Sequence, residues 1–319
     1  MKILANDGIS PEGIEKLEAN GFEVVTEKVA QENLAQAIND NDYVGLLVRS
    51  ATTVRKELID QCPNLKFIGR GGVGMDNIDV SYAREKGIVV ENTPAASSQS
   101  VAELVMGSLF SISRSTYDSY KQMPSEGSTE FKKLKKKYAK GIELRGKTLL
   151  IVGFGRIGQA LAQYALGIGM KVKGVNIDSG SVDIPVEVDG AGTVNSKVVV
   201  TNKLEEVIGE ADFISLHVPK QADGSAVIGS KELSLMKDGV RIVNAARGGV
   251  VDEDSLLEAL NNGKVAAAAL DVYDNEPTPR KDLLEHEAVA CTPHIGAATV
   301  EAQARIGVEL ADKIISTLK

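Results

Sequence analysis

Short apolar runs of strand length alternate with stretches whose apolar positions recur at helical spacing over the first hundred residues. MKILAN, FEVVTE, YVGLLVRS, LKFIGRGGVG and IVVENTP read as strands, and SPEGIEKLEANG, QENLAQAIND, RKELIDQCP and NIDVSYAREKG read as helices. Strand and helix in this order build right-handed βαβ units on a parallel sheet. A second series starts at Lys147 with KTLLIVGFGRIGQALAQYALGIG, a strand, a glycine turn and a helix. MKVKGVNID, KVVVTN, ADFISLHVP, GVRIVNAARG, VAAAALDVY and AVACTPHIG follow as further units. These strands are almost wholly apolar, as in a parallel sheet covered on both faces. The pattern predicts an α/β chain of two doubly wound parallel-sheet domains, the larger over 97–295. The closing stretch TVEAQARIGVELADKIISTLK has no place in the second sheet, so the smaller domain is predicted to be discontinuous, 1–96 plus 296–319.

Between the two series lies SSQSVAELVMGSLFSISRS, in which Ser100 and Glu103 have the spacing of a capping box ahead of an apolar helix. Its apolar positions spread beyond one stripe, which predicts burial on more than one side, as in a linker helix packed between domains or between subunits. The polar segment after it carries a basic run, Lys132, Lys133, Lys135, Lys136 and Lys137. That run reads as a solvated helix face, or as positive charge beside an anion site.

A hydrophobic fraction of 43% and a charged fraction of 25% are those of an ordinary globular protein. A formal charge of -8 argues against nucleic acid or an anionic membrane as partner. Cys62 and Cys291 match no metal-ligand or CxxC spacing and read as small buried hydrophobes in a reducing compartment; no metal is expected. With no signal-peptide pattern at the start and no apolar run of membrane-spanning length, a cytoplasmic location is expected.

VGFGRIG places Gly153, Gly155 and Gly158 in G-x-G-x-x-G spacing directly after a strand and before a helix. The first glycine allows the tight turn, the second lets a pyrophosphate approach the backbone, and the third lets helix and strand pack closely. The helix start presents unpaired N–H groups to the phosphates. The larger domain is therefore predicted to be a dinucleotide-binding Rossmann domain. Counting 18 residues on from Gly158 gives Asn176 where an acid usually grips the adenosine ribose, with Asp178 two residues further. Asparagine can hydrogen-bond a hydroxyl without the charge that rejects a 2′-phosphate. No Arg or Lys follows in NIDSGSVDIP, and Asp178 would repel a phosphate, so NAD is the expected cofactor.

Ligands of an open parallel sheet sit beyond the carboxyl ends of its strands. Three apolar strands of the second series end in chemistry: IVNAARGG offers Arg247, ALDVYDNEPTP offers Glu276, and CTPHIGAAT offers His294. The other two histidines differ. His217, inside ISLHVP, reads as structural, and His286, in polar LLEHEAV, as a surface residue.

Together, the glycine turn, ISLHVP, NAARGGVVDEDSLLEAL, LDVYDNEP and TPHIGAAT resemble the D-isomer-specific 2-hydroxyacid dehydrogenases, nearly end to end. The resemblance implies that Arg247, Glu276 and His294 are the catalytic set. Imidazole titrates near the working pH and suits the acid and base role, a carboxylate beside it stabilises its charged form, and a guanidinium clamps the substrate carboxylate. It further implies that Arg156 and Ile157 meet the pyrophosphate, that Val218, Pro219 and the Ala245 carbonyl line the nucleotide, and that Asp271 meets the nicotinamide amide. A homodimer is expected.

LLVRSATTV and KFIGRGGVGMDNIDV in the first domain look most like the family's phosphoglycerate dehydrogenase branch, making that domain a smaller, flavodoxin-like substrate domain. Arg49 and Arg70 would hold a substrate phosphate, and the N–H groups of Gly71 and Gly72 a carboxylate. The partner expected is thus a phosphorylated 2-hydroxy acid, with oxidation of 3-phosphoglycerate at the head of serine synthesis as the reaction. Reduction of glyoxylate, hydroxypyruvate or another small 2-keto acid uses the same machinery. The family also includes NADH-sensing corepressors, a third implication. Since the sequence stops at Lys319, no C-terminal regulatory domain is expected.

Overall fold

A computed structural model describes residues 1–319 of the protein. In chain order the strands and helices are β1 (Lys2–Ala5), α1 (Pro11–Glu18), β2 (Glu23–Val25), α2 (Leu34–Asp40), β3 (Tyr43–Val48), α3 (Lys56–Gln61), β4 (Phe67–Arg70), α4 (Val80–Glu85), β5 (Val89–Asn92), α5 (Ser98–Arg114), α6 (Thr116–Glu126) and α7 (Phe131–Lys137). The remainder are β6 (Thr148–Val152), α8 (Arg156–Gly167), β7 (Lys171–Val175), β8 (Gly180–Val188), β9 (Gly192–Thr201), α9 (Leu204–Val207), β10 (Phe213–Leu216), α10 (Ser230–Leu235), β11 (Val240–Asn244), α11 (Glu253–Asn261), β12 (Val265–Leu270), α12 (Lys281–Leu284), β13 (Val289–Cys291) and α13 (Val300–Leu318). The chain divides into two compact units: Met1–Ser100 with Ala297–Lys319, and Val101–Gly296.

In the first unit five parallel strands run in the order β2-β1-β3-β4-β5, a doubly wound, flavodoxin-like arrangement. Helix α13 belongs here because its apolar face, Ile306, Leu310, Ala311 and Ile314, packs into one core with Ile3, Leu17, Leu47 and Phe67. The Thr299 hydroxyl caps it, accepting a hydrogen bond from the Ala302 N–H at 3.2 Å.

In the second unit the order is β13-β12-β11-β10-β6-β7-β9-β8. Leu150, Val152, Ile214, Leu216, Ile242 and Ala268 fill the core on one face of the sheet, and Leu149, Ile151, Phe213 and Val243 on the other, which is why these strands are apolar throughout. Chain order reverses between β6 and β10, and this switch point opens the crevice at the strands' carboxyl ends.

Two local expectations need correction. The second sheet is not wholly parallel: β8 runs antiparallel to β9 as a hairpin at the edge, where the pattern suggested only helix-linked parallel strands. The stretch responsible, SVDIPVEVDGAGTVNSKVVV, alternates with period two, and Gly190 and Gly192 both take positive φ in its turn. The capping box at Ser100 does not form, since α5 already starts at Ser98; Ser100 lies within it, bonded to the Thr299 hydroxyl at 2.7 Å, and Glu103 accepts from the Tyr164 hydroxyl at 2.7 Å. Helix α5 is buried on more than one side, as its spread of apolar positions predicted, and leaves exposed only the stripe Gln99, Glu103, Gly107, Phe110 and Arg114. No helix is long and apolar enough to cross a membrane, and no group of acidic, His and Cys side chains is placed to hold a metal ion.

Candidate active site

The glycine turn between β6 and α8 is shaped by contacts only glycine permits. Gly153 has φ +95°, and a Cβ there would lie 2.4 Å from the His217 carbonyl oxygen; a Cβ on Gly158 would lie 2.5 Å from the Gly153 carbonyl. At Gly155 an added Cβ meets nothing within 4 Å, so the backbone faces open space at the start of a twelve-residue helix. Two glycines forced by the protein's own backbone and one facing a void make a cradle that fits a dinucleotide pyrophosphate. Arg156 and Ile157 are the first residues of α8, with Arg156 exposed and Ile157 half-buried. Asn176 is exposed just past β7, Val218 and Pro219 follow β10, and Ala245 follows β11, all at carboxyl ends of the same sheet.

Arg247, Glu276 and His294 come from the segments that follow β11, β12 and β13, three adjacent parallel strands. The His294 Nδ1 lies 2.7 Å from Glu276 Oε2, and Glu276 Oε1 accepts from the Tyr273 N–H at 2.9 Å, so the carboxylate is fixed on both oxygens. With Nδ1 on Glu276, Nε2 is the ring atom left for a substrate. A cavity of about 420 Å³, lined by Tyr273, Glu276, Cys291, Thr292 and His294 among others, opens beside the pair. The Arg247 Nη1 donates to the Ala246 carbonyl at 2.6 Å, and the Asn244 amide donates to the Arg247 carbonyl at 3.0 Å, which ties the loop to the strand it leaves. Gly248 packs this loop against the next: a Cβ there would sit 1.9 Å from the Tyr273 carbonyl.

Asp271, expected at the nicotinamide amide, is only 4% exposed, and its carboxylate accepts three hydrogen bonds within the protein. His217 is structural in the sense expected. Its Nε2 bonds Ser215 Oγ at 2.9 Å, its Nδ1 is buried without a hydrogen-bond partner, and burial pushes the imidazole down to about 4, so the ring is neutral near pH 7. His286 is half-buried rather than on the surface, its Nδ1 accepting from the Ala288 N–H at 3.1 Å. Both cysteines are free, and burial pushes the Cys62 thiol up to about 11 and raises that of Cys291.

In the first unit a cavity of about 220 Å³ is lined by Asp7, Ser10, Arg49, Gly71 and Gln303, with an apolar floor. The Asp7 carboxylate is spent on the Arg49 and Thr52 N–H groups and the Thr52 hydroxyl, so it positions Arg49 through the backbone. No hydrogen bond or ion pair engages the Arg49 guanidinium. Arg70 instead folds back on its own loop, with Nη1 donating to the Gly71 carbonyl at 3.2 Å. The expectation that Gly71 and Gly72 offer N–H groups to a carboxylate is overturned: Gly71 donates to the Val48 carbonyl at 2.9 Å and Gly72 to Thr93 Oγ1 at 2.8 Å. Continuation of the sheet ladder consumes the first, and a buried threonine the second. The two N–H groups that follow, of Val73 and Gly74, are not consumed in this way; the sequence carried no signal to choose between adjacent glycine-loop amides.

The model of the D-isomer specific 2-hydroxyacid dehydrogenase NAD-binding domain matches residues 106–296. The chain is 43% identical over 322 residues to a hydroxypyruvate reductase of Thermotoga maritima, covering 99% of this chain and 98% of that one. It is 41% identical to the D-3-phosphoglycerate dehydrogenase of Methanocaldococcus jannaschii, where all of this chain matches only 58% of the relative's length. A solved glyoxylate reductase from Paecilomyes thermophila superposes over all of this chain and 96% of its own, with a TM-score of 0.79 and 28% identity.

Proposed function

The chain belongs to the D-isomer-specific 2-hydroxyacid dehydrogenase family, and from that premise we propose that it oxidises 3-phosphoglycerate, or reduces the corresponding keto acid, with Arg247, Glu276 and His294 as its catalytic set. The cofactor is NAD, which when bound supplies the two-electron acceptor. Gly153, Gly155, Arg156, Ile157 and Gly158 would hold its pyrophosphate, Asn176 its adenosine ribose, and Val218, Pro219 and Ala245 the remainder.

The proton chemistry falls to His294. In the oxidative direction Nε2 takes the substrate hydroxyl proton as the carbon is oxidised; in the reductive direction it returns that proton to the carbonyl oxygen. Glu276, bonded to Nδ1, fixes the tautomer and stabilises the imidazolium that forms. Arg247 clamps the substrate carboxylate with a planar fork that a lysine cannot imitate. The observation that carries the reading is the 2.7 Å bond between His294 Nδ1 and Glu276 Oε2 at the ends of neighbouring strands.

The unengaged Arg49 guanidinium favours a phosphorylated substrate, since a doubly charged phosphate matches its donors. The Val73 and Gly74 N–H groups take the place given earlier to Gly71 and Gly72. A second reading, reduction of hydroxypyruvate or glyoxylate, is favoured by the full-length match to the Thermotoga reductase. Steady-state kinetics with NAD(H) on phosphorylated and unphosphorylated acids separate the two. For Arg49→Ala we expect KM for the phosphorylated acid to rise about a hundredfold, the loss of one charge-assisted contact, with little change for the unphosphorylated one. Equal effects on both would leave Arg49 without a phosphate role.

Exposed aromatics on the helices after the first unit, Phe110 at 50%, Tyr120 at 75% and Phe131 at 57%, support a homodimer. We place the enzyme in the cytoplasm, at the entry to serine synthesis if the phosphorylated acid is its substrate.

A further inference from the structure

His294 is one of only three non-glycine residues with positive φ, at +55°, and the one of the three that lies in the candidate active site. A non-glycine residue in that conformation costs about 1–3 kcal/mol and persists where its surroundings over-determine it. What over-determines it is Asp271, at the carboxyl end of β12. Its Oδ1 accepts from the Thr292 hydroxyl at 2.6 Å and the Ile295 N–H at 2.8 Å, and its Oδ2 from the Gly296 N–H at 2.8 Å. These donors flank His294 on both sides. The loop is closed from behind as well, since the Tyr273 hydroxyl lies 3.0 Å from the Thr292 carbonyl and the Thr292 N–H donates to the Leu270 carbonyl at 3.0 Å.

We propose that Asp271 is a positioning residue for His294, gripping the 292–296 loop so that the backbone at 294 stays left-handed and turns Nδ1 onto Glu276. This rests on His294 being the acid and base, and it gives Asp271 a task distinct from contact with the nicotinamide. A carboxylate suits three donors because it is acceptor-only; an asparagine keeps one acceptor oxygen and sets its NH2 against a donor. Breaking the grip lets the left-handed residue relax and swings the ring away from Glu276.

The test compares Asp271→Asn, Thr292→Val and His294→Ala with the wild type. It measures reduction of 3-phosphohydroxypyruvate and hydroxypyruvate by NADH, NADH affinity by fluorescence titration, and the downfield imidazole N–H resonance of 15N-histidine-labelled protein, assigned through its loss in Glu276→Gln. We expect Asp271→Asn to lower kcat about a hundredfold, the cost of roughly 1 Å of misplacement, to leave the NADH Kd within about threefold, and to abolish the downfield resonance. Thr292→Val, which removes a single bond, should lower kcat about tenfold or less and weaken that resonance, and it decides the matter if Asp271→Asn does not fold. The proposal is overturned if kcat and the resonance survive, or if NADH affinity falls about tenfold or more while kcat holds. Wild-type turnover by His294→Ala would instead remove the catalytic reading; an inactive His294→Ala beside a fully active Asp271→Asn would remove this inference alone.

Discussion

Charging His217 is the sharpest pH test of the fold. Its ring is buried next to Ser215 with Nδ1 unpartnered, and burial holds its pKa near 4 against the ordinary 6.5. The unfolded chain therefore takes up a proton as pH falls below about 6.5, whereas the folded protein resists until about 4. Stability is lost as pH falls through this window and is flat above it. At about 1.4 kcal/mol per tenfold, the full window is worth roughly 3 kcal/mol. That is a large share of a marginal stability of about 5–15 kcal/mol. The assay is urea unfolding of wild type and His217→Gln, a variant that cannot charge yet can still pair with Ser215, across a pH series spanning the window. The wild type should lose roughly 3 kcal/mol more than the variant on acidification, and NADH binding should fall with it, because the His217 carbonyl backs Gly153 in the nucleotide turn. Parallel curves for the two proteins would refute the buried neutral ring.

Two glycine substitutions probe the loops directly. Gly153→Ala places a Cβ 2.4 Å from the His217 carbonyl at φ +95°, so NADH titration should show binding weakened at least about a hundredfold; wild-type affinity would mean the turn does not form the cradle. Gly248→Ala drives a Cβ to 1.9 Å from the Tyr273 carbonyl and must displace the segment whose N–H anchors Glu276. Its kcat should fall while calorimetry registers a loss of about 1–3 kcal/mol, and an unchanged kcat would uncouple that loop from the acid and base pair.

Much of the molecule was legible in the order of its residues. Apolar runs at strand length and the glycine spacing specify a local backbone, so the doubly wound sheets and the turn at Gly153 to Gly158 could be read before any coordinates. Arg247, Glu276 and His294 could be read as polar residues closing apolar strands. The β8–β9 hairpin escaped because Pro185 and the charges of Asp183, Glu187 and Asp189 mask a period-two alternation whose apolar positions, Ile184 and Val198 among them, join the core only once the hairpin pairs at the sheet edge. Gly71 and Gly72 were misjudged because a sequence shows which residues own an N–H but not which carbonyl consumes it.

The sequence by itself determined the strand and helix series, the nucleotide turn and the three chemical groups at strand ends, since these follow from local periodicity and from residue type. Only the tertiary structure decided that β11, β12 and β13 are neighbours, that Glu276 meets Nδ1, and that Asp271 holds a left-handed histidine. Those facts depend on strand order and on donors and acceptors that are distant in the chain, such as the Gly296 N–H and the Asp271 carboxylate, and hydrogen bonds of that range are fixed by packing rather than by any pattern along the backbone.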